Sequence, residues 1–166
     1  MKKLIVLMCS FMFCTFSQSL QAQMCNQLYI VLTTGSDDLR GGNHAFISLN
    51  FADGTSSDEV ALTTNSAASG SFGQNGVVSG IWTLQDDEDY SSITGITIRH
   101  DGSPRPGNPF DTYDNWDLKA IRVAALTDGS GPRGVNIYNS RNDIKRRTFV
   151  VRFTGNTRSI VLPRQR

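Results

Sequence analysis

Ten residues, Asp114-Asn115-Trp116-Asp117-Leu118-Lys119-Ala120-Ile121-Arg122-Val123, set the tightest limits on what this chain can become. A polar turn-forming pair leads straight into an alternating run. Trp116, Leu118 and Ala120, and then Ile121, Val123 and Ala125, supply one buried face of a strand. An indole placed where a loop becomes a strand buries a large apolar area, while its N–H stays within reach of a backbone carbonyl at the loop edge. Trp116 is therefore expected to be a structural residue at the centre of a core.

The same two-residue period recurs along the chain in short runs. Leu28–Thr34 is a β-branched strand ended by Gly35. In 44–51, Ala45, Ile47, Leu49 and Phe51 share one face. Asp53-Gly54 then signals a tight turn, pairing that strand with one near Glu59–Thr63. Residues 64–76 have no period and read as a surface loop. Val77–Leu84 is a strand with Trp82 and Leu84 on the same parity, and the run Asp86-Asp87-Glu88-Asp89 marks a connection after it. Ile93, Ile96 and Ile98 belong to a strand that reaches His100. Pro104, Pro106 and Pro109 keep 101–113 out of any central ladder. Beyond Leu126, short strands are expected at 135–138, 148–153 and 159–162, with Thr154-Gly155-Asn156-Thr157 joining the last two as a hairpin. Apolar residues nowhere recur at helical spacing over a useful length. Many short strands punctuated by turn signals predict an all-β fold, an antiparallel β-sandwich.

Met1–Ala22 has two lysines, an apolar run from Leu4 to Phe16 and a small residue at its end, the layout of a cleaved signal peptide. The apolar run falls short of the ~20 residues of a membrane-spanning helix. The mature chain, 23–166, is then one domain without a transmembrane segment, secreted or periplasmic. Cleavage leaves Cys25 alone of the three cysteines, which excludes an internal disulfide and makes it a loosely ordered thiol near the new N-terminus.

Charge is nearly balanced overall but divided along the chain. Residues 23–132 hold 5 basic and 14 acidic side chains, whereas 133–166 hold 9 and 1. Lys145, Arg146 and Arg147 form a cluster that can attract anionic partners, or can simply offset the acidic part of the fold. Nothing specific to nucleic acid is present.

The order of these features resembles a PLAT, or lipoxygenase-homology, domain over about residues 27–126. The residues that carry the resemblance are the strand ending Thr33-Thr34-Gly35, then Ile93-Thr94-Gly95-Ile96-Thr97-Ile98-Arg99-His100-Asp101-Gly102, then the Trp116 strand. The resemblance implies a sandwich acting as a non-catalytic interaction module for lipid head groups or a protein partner, with calcium at the loop end in some members.

Calcium takes hard oxygen ligands from a flexible loop. Asp37, Asp38 and Asn43 lie in one glycine-rich loop, and Asp114 and Asn115 stand at the mouth of the Trp116 strand. If those loops share one end of the sandwich, these five are the expected metal residues; otherwise the aspartates cap turns. Phe110 and Tyr113, with Phe72, are loop aromatics suited to a glycan or a lipid interface, or to covering their own core. A carbohydrate-binding module and a hydrolase therefore stay open as alternatives. Against a hydrolase, no strained Gly-x-Ser-x-Gly turn is present, and the two histidines, His44 and His100, do not sit at metal spacing.

Overall fold

The structure, a computed structural model, describes residues 23–39, 43–64, 68–102, 113–127, 130, 133–142 and 150–165. The expected signal peptide, Met1–Ala22, lies outside the described residues. Among those described, no helix is long and apolar enough to cross a membrane.

The described residues form ten strands: β1 (Met24–Thr34), β2 (Ala45–Phe51), β3 (Val60–Ala61), β4 (Ser69–Gly70), β5 (Val77–Asp89), β6 (Ile93–His100), β7 (Trp116–Thr127), β8 (Val135–Asn139), β9 (Val151–Phe153) and β10 (Ser159–Pro163). They make two antiparallel sheets, as the alternating runs predict. One runs β4-β5-β1-β7-β8, with β9 also on β7; the other runs β10-β6-β2-β3. The β2–β3 hairpin expected across Asp53-Gly54 forms, with Phe46 opposite Ala61 and Ile47 opposite Val60.

The inward faces close on one core. Leu28, Ile30, Leu32, Trp82 and Val123 come from one sheet, and Ala45, Ile47, Leu49, Ile96 and Ile98 from the other. Trp116 is fully buried, stacked on Phe153 with ring centroids 5.2 Å apart and planes 8° apart. Its Nε1 lies 3.5 Å from the Thr34 hydroxyl rather than on a backbone carbonyl.

Each break in the apolar alternation is a β-bulge. Thr33 pairs with Ala120 but Thr34 with Leu118, so Lys119 is the extra residue on β7. That residue switches the inward parity from Trp116 and Leu118 to Ile121, Val123 and Ala125. Against β7, Asn26 does the same on β1, with Cys25 opposite Thr127 and Gln27 opposite Leu126, turning Cys25 inward ahead of Leu28. Thr94 does so on β6, between Ile93 and Ile96.

Four further expectations are corrected. The stretch 64–76 is not all loop, since Ser69–Gly70 pair with β5 as β4. The run Asp86–Asp89 is not a connection but the end of β5, with Met24 opposite Asp89 and Cys25 opposite Glu88. That part of β5 has a sheet neighbour on one side only, and carboxylates on an open edge keep other strands from adding to it. Cys25 is not a loose thiol; it is buried in the core, and burial, helped by Glu88, pushes its pKa up to about 11. Finally, Thr154–Thr157 does form a tight turn, each backbone N–H donating to the other's carbonyl, but β9 and β10 are not a hairpin. β9 pairs with β7 and β10 with β6, so the turn carries the chain from one sheet to the other.

Candidate functional site

β1 ends, β2 begins, β6 ends and β7 begins at one end of the sandwich, which brings the Asp37 and Asp114 loops together. The pairing is built from backbone first. Gly35 N–H donates to the Asp117 carbonyl (2.7 Å), and Asp117 N–H donates to the Asp37 carbonyl (3.1 Å). A Cβ at position 35 would stand 2.6 Å from the Asp117 Cβ, so the close approach requires glycine. The Asn43 side-chain amide donates to Asp114 Oδ2 at 3.0 Å, while Asp114 N–H reaches the Gly102 carbonyl at 2.9 Å. Asp101 Oδ1 in turn accepts the His44 N–H at 2.8 Å.

The carboxylates here are already engaged. Asp37 Oδ2 accepts from Arg152 at 2.9 Å, and Arg152 Nε lies 3.6 Å from Asp117 Oδ1. Ser36 Oγ donates to Asp117 Oδ2 at 2.9 Å. Burial raises the Asp37 pKa above the ordinary carboxylate value; Arg152 opposes the shift, and Asp117 and Asp114 add to it. Of the five expected metal residues, Asp37, Asn43 and Asp114 thus come to one end, Asn115 is half-buried beside them, and Asp38 is exposed. Among the described residues no group of three or more His, Cys, Asp or Glu side chains is placed to hold an ion. The donor set does not fit calcium as arranged, because a guanidinium bridges two of the carboxylates and an amide N–H₂ faces Asp114.

Tyr113 is half-buried. Its hydroxyl donates to the His100 carbonyl at 3.1 Å and lies 3.1 Å from His100 Nδ1, and Arg158 sits 4.8 Å over its ring. His100 is fully buried against Tyr113, Trp116 and Phe153, and among the described residues its Nε2 has no hydrogen-bond partner. His44 Nδ1 pairs with the Thr63 hydroxyl at 2.8 Å. Phe72 packs partly buried against the core. Phe110, Lys145, Arg146 and Arg147 lie outside the described residues.

Sequence reasoning missed Ser36, Asp117 and Arg152. By parity Asp117 points away from Trp116 and Leu118, and it is covered by the Gly35–Asp37 segment that follows β1 and by Arg152. Arg152 carries one local sign, its alternation with Val151 and Phe153. Three of the nine basic side chains of 133–166 have partners within the fold among the described residues. Arg152 serves Asp37, Arg158 covers Tyr113, and Arg164 lies 4.0 Å over the Tyr90 ring while donating to the carbonyls of Tyr90 and Ile93. At the opposite end, a cleft of about 830 Å³ is lined by Tyr90, Asn136, Asn142, Arg164 and Gln165, among others.

No family model matches the sequence, and no curated protein matches it. Among solved structures the chain is similar to alpha-toxin of Clostridium perfringens, with 15% identity over 90% of this chain and 34% of that one at a TM-score of 0.56. It is similar also to alpha-toxin from Clostridium absonum, with 18% identity over 86% of this chain and 32% of that one at a TM-score of 0.52. A lipoxygenase deletion variant matches at 16% identity over 84% of this chain and 16% of its own, with a TM-score of 0.46. The chain therefore spans about a third of the alpha-toxin chains. At these identities the likeness to the toxins shows the fold, a PLAT-like β-sandwich.

Proposed function

We propose that this chain is a secreted or periplasmic, non-catalytic docking module that meets lipid head groups through the loop end built around Asp37 and Tyr113. The observation that carries this reading is the make-up of that end. Val77, which follows the turn held by Thr34 N–H on the Gly76 carbonyl, is 50% exposed, and Arg158, over the Tyr113 ring, is an exposed cation at the same end. An apolar side chain and a cation at one end suit an anionic membrane interface: the apolar group enters the head-group layer while the cation meets phosphate. The PLAT resemblance supports the same reading. Calcium assistance, which the resemblance implies, finds no ligand group among the described residues and forms no step here.

Vesicle pelleting tests it. Mature protein is expected to sediment with vesicles containing phosphatidylserine and not with phosphatidylcholine alone, and to be released as salt shortens the screening length below the ~8 Å of physiological ionic strength. Val77→Asp should abolish pelleting without lowering the melting temperature. No sedimentation with anionic vesicles overturns the reading. The cleft beside Tyr90 and Asn136, lined by polar and apolar groups alike, favours a second reading, glycan binding, for which a glycan array with Asn136→Ala as control is the test.

A further inference from the structure

We propose that the guanidinium of Arg152 is the built-in cation of the Asp37 loop end, lying between the Asp37 and Asp117 carboxylates and doing at this end of the sandwich what the family resemblance would give to calcium. The two carboxylates are brought together by backbone pairing, not by any ion. Asp117 N–H binds the Asp37 carbonyl, Gly35 N–H binds the Asp117 carbonyl, and the missing Cβ of Gly35 permits the approach. Two like charges fixed in this way require a positive partner. The register of β9 on β7 supplies it, because Arg152 is the cross-strand neighbour of Asp117, between Val151 opposite Leu118 and Phe153 opposite Trp116. Val151 and Phe153 point into the core, so alternation turns Arg152 outward onto the carboxylate pair. From there one terminal nitrogen reaches Asp37 at 2.9 Å while Nε faces Asp117 at 3.6 Å. A residue 115 positions from Asp37 thus does for the loop what an exchangeable ion does elsewhere. The consequence is a loop end that closes without calcium. This inference does not rest on the docking reading, and vesicle binding plays no part in its test.

The experiment is a set of thermal melts on the mature chain, in chelator and in about 5 mM calcium, a concentration that saturates weak extracellular sites. Wild-type protein is expected to melt at the same temperature in both. Arg152→Gln should melt about 3–6 °C lower in chelator and regain part of that loss with calcium, which now finds two carboxylates that have lost their cation. Asp37→Asn added to Arg152→Gln should remove the calcium response, and Arg152→Lys, which keeps the charge, should stay indifferent to calcium. If Arg152→Gln does not fold in chelator, recovery of its near-ultraviolet circular dichroism on adding calcium is the equivalent readout. A wild-type melt that rises by several degrees with calcium overturns the proposal. So does an Arg152→Gln melt equal to wild type in chelator, or an Arg152→Gln protein that calcium does not restore.

Discussion

Trp116 and His100 are neighbours in the core and call for opposite chemistry. The indole gives up all its exposure and gains a stacked partner in Phe153, so Trp116→Ala removes both the transfer free energy of a large ring and the contacts that filled its space. The expected loss is roughly 3–5 kcal/mol by denaturant titration; a loss under about 1 kcal/mol, the scale of surface substitutions, would mean the ring is not packed as described. His100 is buried in the same aromatic cluster, and burial holds its pKa below the ordinary value, with Asp114 and Asp101 opposing and Arg158 and Arg99 reinforcing the shift. The unfolded chain therefore takes up this proton first. The contribution of His100 is complete above its unfolded pKa of about 6.5 and is lost as pH falls from there toward the lower folded value. Melting temperature should accordingly drop between about pH 7 and pH 5, and His100→Asn, which has nothing to titrate, should flatten that slope. A slope unchanged in the variant would assign the acid sensitivity to other groups.

At the scale of the strand, the apolar pattern of β7 reads as two half-patterns joined out of phase at Lys119. Such a break is visible in the sequence, but a bulge and a strand end look alike there. What decides between them is whether a partner continues on both sides, and β1 does, with Thr33 opposite Ala120 and Thr34 opposite Leu118. Just past this bulge β1 leaves the sheet through Gly35, against the Asp117 side chain. Gly35→Ala is predicted to cost about 1–3 kcal/mol, the usual scale of overpacking, because the 2.6 Å contact is with a Cβ that the β7 backbone fixes. Chemical denaturation measures it; a neutral Gly35→Ala would show that β1 and β7 can separate here without loss. The acidic end of β5 illustrates the converse. Four consecutive carboxyl side chains argue for solvent; Asp86 and Asp87 are exposed while Glu88 and Asp89 are half-buried, and a strand with an open edge accommodates them as well as a loop does.

For the whole molecule, the last described stretch is what closes the sandwich. β9 completes one sheet on β7 and β10 completes the other on β6, and together they bring fully buried Phe153 and Leu162. Past β10, Arg164 N–H bonds the Thr94 carbonyl and Gln165 N–H the Ile137 carbonyl, so the chain bridges the two sheets again. A chain ended after Asn142 would expose the Trp116 face and an edge of β6 together. It is predicted to lose its cooperative thermal transition, followed by near-ultraviolet circular dichroism; a cooperative melt near that of the full chain would show the earlier strands to be self-sufficient. This closure extends the fold well past the 27–126 span of the PLAT resemblance.

The two-residue alternation by itself determined the fold class, most of the strands and the burial of Trp116, because which face of a strand is apolar depends only on neighbours two positions away. The glycine and proline signals likewise placed most of the turns. Only the tertiary structure decided which sheet each late strand joins, since the turn at Thr154–Thr157 serves a crossing between sheets as well as a hairpin. Only it decided that Asp37 and Asp117 face a cation from the protein itself. Asp37 and Arg152 lie 115 positions apart, and no local period carries information over that distance. Their meeting is fixed by the register of β9 on β7 and by the exit of the chain from β1 past Asp117, both set by pairing within one sheet between strands far apart in sequence.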